Sequence, residues 1–407
     1  MIRLLIFIIK LPIYILCIFL NLLLFIINFF YKIKIYSFDA SAYSHFVSDY
    51  HYVRILSKKE KFKVIASVVG LKFFHNKYIL ECIKKEFIFN NLIFKYLDYV
   101  TSYMPWAKYI RCYDFRSNSS MDLYGLVKNN PKLIHTFSKK ENSFCKDYLL
   151  SKGIGYNDKF VLINLRDDFF YNQFSQHKDL HNSTRNLIKF KDLEKSLKYL
   201  NKNFFKIIRW GRFKKKINTK VKILDLSVDK NVPHIMDFWL AKNCAFAIGS
   251  ASGPDPIVGH FQNPFLILGH WPIYYIYNFL FCLTLLPKVK WLNSNKYLSI
   301  TEMLNFQHME INIKELKKKN VNFIRNNSQD IYLATIQLLN IYKKKPFEKK
   351  LNHLNQKFWQ TFINWDKKTE KDYFFGKKIQ KRWIIKKHPY SRIANISLIN
   401  KKNYFFK

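Results

Sequence analysis

Apolar residues in this chain occur as short continuous blocks and as longer periodic stretches, and their order predicts most of the elements. Phe160-Val161-Leu162-Ile163-Asn164-Leu165 is nearly continuous and includes β-branched members, the pattern of a strand buried on both faces of a parallel sheet. The cluster His181-Asn182-Ser183-Thr184-Arg185-Asn186 has no hydrophobic period and predicts a loop. Beyond it come a helical pattern over 187–200, a strand over 204–209 that ends in Arg209-Trp210-Gly211, and a strand over 221–226. A helix over 232–243, a strand over 244–248, a Gly/Ser loop opening a helix at Asp255 and a strand over 264–268 complete the series. Strands alternating with helices predict α/β architecture with a parallel, doubly wound sheet.

The flanks read differently. Residues 11–30 are uncharged and almost wholly apolar, long enough to cross a bilayer, although Pro12, Asn21 and Asn28 interrupt them. No small-residue cleavage site follows, which favours a retained anchor over a removable signal; a helix lying in the membrane interface is the alternative. From 37 to 154, short apolar runs alternate with basic loops, as in a first α/β domain. Ser138 and Glu141 have the spacing of a capping box, starting a helix that runs to Ser151 before Gly153 and Gly155. The expected organisation is an anchor (1–34), a first domain (35–154), a second domain (155–345) and a helical tail (346–407). The aromatic run 271–287, bounded by prolines and too short to span comfortably, is expected to pack in the core or at an interface.

Composition changes this picture only modestly. The 407 residues carry a formal charge of +41, yet the lysines are spread along the whole chain and no zinc spacing or RNP-like motif accompanies them. Nucleic acid is therefore not the expected partner; anionic lipid headgroups fit the charge better. The six cysteines stand apart without a C-x-x-C pair, so most read as small core residues, in a reducing compartment.

Candidate chemistry gathers in the second half. Open α/β sheets place ligand groups at the carboxyl ends of strands, where Arg166, Asp167 and Asp168 follow the strand over 160–165. Gly249-Ser250-Ala251-Ser252-Gly253-Pro254-Asp255 follows a strand and opens a helix, so its amides and hydroxyls form a candidate anion site, although no Walker spacing is present. Arg166 and Arg185 suit phosphate oxygens; a local pairing of Arg166 with Asp167 or Asp168 is the alternative. Asp167, Asp168 and His181 are the candidates for a general base. No D-x-D motif appears, which predicts metal-independent chemistry with no cofactor.

These segments resemble a family of bacterial surface-polysaccharide glycosyltransferase-like proteins. The family pattern of a strand ending in Arg-Asp, a His-Asn-x-x-Arg-Asn loop, a strand ending in Arg-x-Gly and a later Gly-x-x-Ser-Gly stands here as Arg166-Asp167, His181 to Asn186, Arg209-Trp210-Gly211 and Gly249 to Gly253. Leu286-Pro287-Lys288, Leu298-Ser299-Ile300-Thr301-Glu302-Met303-Leu304, Gln356-Lys357-Phe358-Trp359 and Ser391-Arg392-Ile393 are also similar. The family's Arg-Ile-Gly-His near the start is replaced by Ala42-Tyr43-Ser44-His45. The resemblance implies a GT-B-like architecture of two Rossmann-type domains, the second holding a nucleotide-sugar donor. It further implies inverting transfer to a growing surface glycan or lipid-linked glycan at the cytoplasmic side of the bacterial inner membrane. Donor contacts would come from Arg166, Arg185, Asn186, Arg209, Ser250, Ser252 and Gly253. A non-catalytic glycan-assembly or lipid-associated protein on the same scaffold is the alternative.

Overall fold

The computed structural model describes residues 2–41, 43–70, 76–112, 121–122, 125–166, 184–211, 216–273, 276–306, 312–345, 349–368, 373–374, 377–378 and 391–399. The chain divides into two compact units, one of Met1–Ser120 with Asn129–His135, the other of Met121–Lys128 with Thr136–Lys407.

Unit 1 begins with helix α1 (Ile2–Ile27), followed by β1 (Ile33–Asp39), α2 (Tyr43–Glu60), β2 (Lys63–Val69), α3 (Lys77–Glu86), β3 (Ile88–Phe89), α4 (Phe94–Thr101) and α5 (Ala107–Ile110). The three strands are parallel, in the order β1-β2-β3, and Arg111 adds a parallel bridge to Ile35. The expected membrane-spanning helix over 11–30 requires correction. The helix ends at Ile27, and among the described residues no helix is long and apolar enough to cross a membrane. Instead α1 lies against α4, burying Cys17 and Asn21 completely. The Asn21 amide donates to the carbonyls of Cys17 (3.1 Å) and Leu97 (3.4 Å) and accepts from the Thr101 hydroxyl (2.7 Å). The polar residue that interrupts the apolar run is thus the one that fastens it to the protein.

Unit 2 contains α6 (Leu126–Asn129, whose last residue belongs to unit 1), α7 (Lys139–Ser151), β4 (Phe160–Asn164), α8 (Phe190–Lys202), β5 (Lys206–Arg209), β6 (Leu224–Asp225), α9 (Ile235–Asn243), β7 (Phe246–Gly249), α10 (Asp255–His260), β8 (Phe265–Leu268) and β9 (Cys282–Leu285). An antiparallel pair follows, β10 (Lys288–Trp291) with β11 (Val321–Ile324), separated by α11 (Ile300–Leu304) and α12 (Ile313–Lys318). Then come α13 (Ser328–Tyr342), α14 (Lys349–Lys368), β12 (Arg392–Ile393) and α15 (Asn395–Ile399). Seven strands form one sheet in the order β12-β9-β8-β7-β4-β5-β6, every pairing parallel.

Burial explains the sheet. All five residues of β4 are buried, and alternate side chains meet different layers. Val161 and Ile163 join a core with Leu193, Leu197 and Leu200 of α8 and Ile331, Ala334 and Leu338 of α13. On α8 those leucines recur at i, i+4 and i+7, the stripe of an amphipathic helix. Phe160 stacks instead on Trp239 of α9, with ring centroids 6.3 Å apart. The capping box expected at the start of α7 is present: the Glu141 amide donates to the Ser138 hydroxyl (3.2 Å), and Glu141 Oε2 accepts from the Ser138 amide (2.8 Å).

Two expectations change. The strand over 221–226 shortens to Leu224–Asp225: before it the Val221 amide and the Lys222 carbonyl are engaged by the side chains of Thr219 (3.2 Å) and Asn201 (3.4 Å), and after it the Asp225 carboxylate accepts from the hydroxyl and amide of Ser227 (2.5 and 3.2 Å). The run 271–287 does enter the core, with Trp271, Ile273 and Phe279 fully buried, but its end is the inner strand β9. All six cysteines are free and buried.

Candidate functional site

Chain order and strand order together locate a switch point in the large sheet. From β4 the chain steps outward to β5 and β6, then returns across the sheet so that β7 pairs with the other edge of β4. The winding therefore reverses between β4 and β7, and in open parallel sheets ligands bind outside the carboxyl ends of the strands at such a switch point. Asn164, the last residue of β4, stands opposite Gly249, the last of β7, so the segments carrying Arg166 and Ser250 leave the sheet side by side.

They are tied together there. The Arg166 amide donates to the Ser250 hydroxyl oxygen at 2.7 Å, and Ser250 is fully buried. The Ser252 hydroxyl donates to Asn164 Oδ1 at 2.9 Å, a second link between the loops. Asp255 fills the turn itself: its Oδ2 accepts from the Ser252 amide at 2.7 Å, and the residue is 2% exposed. Its approach explains the glycine, since a Cβ on Gly249 would stand 2.0 Å from Asp255 Oδ1. Ala251 adopts a left-handed backbone conformation (φ 57°) that folds the loop back over this carboxylate.

The sequence expectation offered the Ser252 amide to a phosphate. That amide donates to the Asp255 carboxylate within the loop itself. Ser250 thus holds the Arg166 backbone, Ser252 ties the loop to Asn164 and Asp255, and Gly253 lies half-buried just beyond. Arg209 ends β5 at the same edge of the sheet, and its guanidinium pairs with Asp225 at 3.0 Å, the two side chains 9% and 5% exposed. A guanidinium so engaged braces β5 against β6. The Thr184–Asn186 turn reaches this edge as well: Ile188, two residues on from the buried Asn186, lies against Gly269 at the end of β8. Asp167, Asp168, His181 and the side chain of Arg185 lie outside the described residues.

Sequence reasoning missed Asn164 and Asp255 as members of the constellation. The signal for Asp255 was available in its place, first in a short helix after a Gly/Ser turn, where a carboxylate satisfies loop amides as readily as an external anion does.

A second polar cluster lies in unit 1. His135 Nδ1 is 3.0 Å from the Tyr50 hydroxyl, and its Nε2 is 3.0 Å from that of Tyr78. Tyr50 also donates to Glu86 at 3.0 Å, and the Arg54 guanidinium meets the same carboxylate at 2.9 Å. Burial, reinforced by the nearby Cys82 and Glu86, raises the Tyr50 phenol well above its ordinary range. With its partners supplied from within the unit, this cluster is a brace between α2, α3 and the 131–135 segment. Among the described residues, no group of three or more His, Cys, Asp or Glu side chains is placed to hold a metal ion.

No protein-family model and no curated protein matches this sequence. Solved structures do. The glycosyl transferase family 9 protein of Veillonella parvula DSM 2008 is similar over 76% of this chain and 98% of its own, with 12% identity and a TM-score of 0.50. ADP-heptose LPS heptosyltransferase II of E. coli is similar over 62% of this chain and 89% of its own, with 10% identity and a TM-score of 0.36. The iron-containing dodecameric glycosyltransferase TibC from enterotoxigenic E. coli H10407 matches over 77% and 76%, with 11% identity and a TM-score of 0.40. The first of these similarities shows the fold: an α/β chain with parallel sheets, shared with a glycosyltransferase.

Proposed function

We propose that this chain is a glycosyltransferase that takes a nucleotide sugar at the β4/β7 crevice and transfers its sugar to a growing surface glycan or lipid-linked glycan. The observation that carries the reading is the switch point itself, where the Arg166 segment is held against the Ser250 loop. In this reading Arg166 and Arg185 meet the donor diphosphate, Asn186 and Gly253 line the cleft, Ser250 positions Arg166, and Ser252 ties the loop to Asn164. Arg209, paired with Asp225, stands at the same edge of the sheet.

Transfer would be inverting and metal-independent. A base among Asp167, Asp168 and His181 takes the proton of the acceptor hydroxyl. The acceptor oxygen then bonds to the anomeric carbon as the bond to the diphosphate oxygen breaks, and the electron pair leaves with the nucleoside diphosphate. Fixed guanidinium charge facing that leaving group does most to lower the barrier. The six free, buried thiols fit a catalytic part on the cytoplasmic face of a bacterial inner membrane.

The test is a thermal-shift screen of the full chain against UDP-, GDP-, ADP- and CMP-sugars. One nucleotide class raises the melting midpoint of the wild type and leaves that of Arg166→Ala unchanged. Stabilisation by none of them identifies a non-catalytic scaffold and overturns the assignment.

A further inference from the structure

Helix α1 buries Asn21, the one amide side chain between 11 and 27, and exposes apolar residues, the reverse of a helix that faces water. Leu16, Phe19, Leu22, Leu23 and Ile26 are 44–66% exposed, while Cys17 and Asn21 on the opposite side are fully buried against α4. The stripe continues past the helix end, where Phe29, Phe30 and Tyr31 are 70–80% exposed. Leu11, Pro12, Ile15, Leu16 and Phe19 line a shallow apolar groove along it.

The rim has a different chemistry. Tyr14 of α1 lies 6.2 Å from the exposed Tyr99, which in turn lies 5.2 Å from the exposed Tyr103. Farther along, Phe25 stacks on Trp106 at 5.3 Å and approaches the exposed Tyr109 at 6.2 Å. Lys95 sits over the Tyr96 ring at 5.0 Å and Lys108 over the Tyr109 ring at 4.8 Å, while Lys32 is exposed just after the helix. An apolar stripe edged by tyrosines and lysines matches the layers of a lipid surface: acyl chains, the headgroup boundary and anionic charge.

We infer that the exposed face of α1, with its α4/α5 rim, docks unit 1 flat on an anionic lipid bilayer as a monotopic anchor. The hydrogen bonds of Asn21 to Leu97 and Thr101 keep the helix on the protein, so it enters the interface sideways and does not cross. The chain's formal charge of +41 favours an anionic membrane over a neutral one. This reading is independent of the nucleotide-sugar assignment.

The experiment is flotation of the full chain with phosphatidylcholine vesicles, with and without phosphatidylglycerol. Binding is expected to the anionic vesicles, to weaken with salt and to be released by alkaline carbonate. Phe19→Asp and Leu23→Asp, both at exposed positions, should each lower partitioning at least about tenfold, the factor implied by losing one buried apolar side chain. Their circular dichroism and melting midpoint should match wild type. Three results would overturn the inference: no flotation with either vesicle, retention through carbonate extraction as for a spanning helix, or a dimer in sedimentation that Phe19→Asp dissociates.

Discussion

The amide of Arg166 and the hydroxyl of Ser250, 84 residues apart in sequence, are joined by a 2.7 Å hydrogen bond at the point where the large sheet reverses its winding. The bond fixes where the Arg166 backbone stands relative to the β7 loop. It therefore separates two kinds of substitution. Arg166→Ala should abolish nucleotide-sugar binding while leaving the melting midpoint nearly unchanged. Ser250→Ala removes one buried hydrogen bond, costs about 1 kcal/mol of stability and weakens binding only in part. Calorimetric titration and thermal denaturation of both variants check this, and equal loss of binding in both would make Ser250 a ligand contact.

The close approach of Gly249 and Asp255 makes a sharper test of the loop. Gly249→Ala drives a methyl group into the Asp255 carboxylate and should destabilise by roughly 1–3 kcal/mol, in the range of an overpacked core. Asp255→Ala opens that space but deprives the Ser252 amide of its acceptor. The double variant should be more stable than the sum of the two single losses, by about 1 kcal/mol or more. Urea denaturation of the four proteins gives the coupling directly. Strict additivity would mean that the carboxylate can swing aside.

These two loops also mark how far the sequence could be read. The strands β4 and β7 were legible because a strand covered on both faces leaves a continuous apolar run, and the loops after them were legible as polar breaks. The Ser138/Glu141 box was legible because it is local, complete within four residues. What escaped depended on contacts distant in sequence. Strand β9 hides in an aromatic stretch whose partners, β8 and β12, include one more than a hundred residues later. The left-handed conformation of Ala251 in the loop that Asp255 closes is likewise announced by no spacing. Among the wider resemblances, Ser299 and Glu302 form a capping box, and Phe358 and Trp359 are buried against α11 and the 391–398 segment, so those motifs record packing.

The Arg209–Asp225 pair bears on a residue that the sequence pattern placed among the donor contacts. Both side chains are nearly enclosed, so removing one partner strands a buried charge: Asp225→Ala should cost roughly 3–5 kcal/mol. Replacing both, as in Arg209→Met with Asp225→Leu, should recover most of that stability. If Arg209 serves only this pair, the double variant binds nucleotide sugar as the wild type does. Loss of binding in a double variant of normal stability would return Arg209 to the donor site.

Burial of the thiols makes the stability of the fold depend on alkaline pH. Burial pushes Cys112 and Cys145 up from 9.0 to about 12, and Tyr50 is raised as well. Each group is held in its neutral form by the folded state, so stability is complete below the unfolded value and falls as pH rises through the interval up to the folded value. Urea midpoints should therefore be level up to about pH 8.5 and decline steadily above it. At about pH 8, below the ordinary thiol range, a thiol reagent should leave all six cysteines untouched in the native protein and modify all six in denaturant. A cysteine that reacts there without loss of fold would show that its burial is transient on the timescale of the reagent, and the alkaline decline should then be correspondingly shallow.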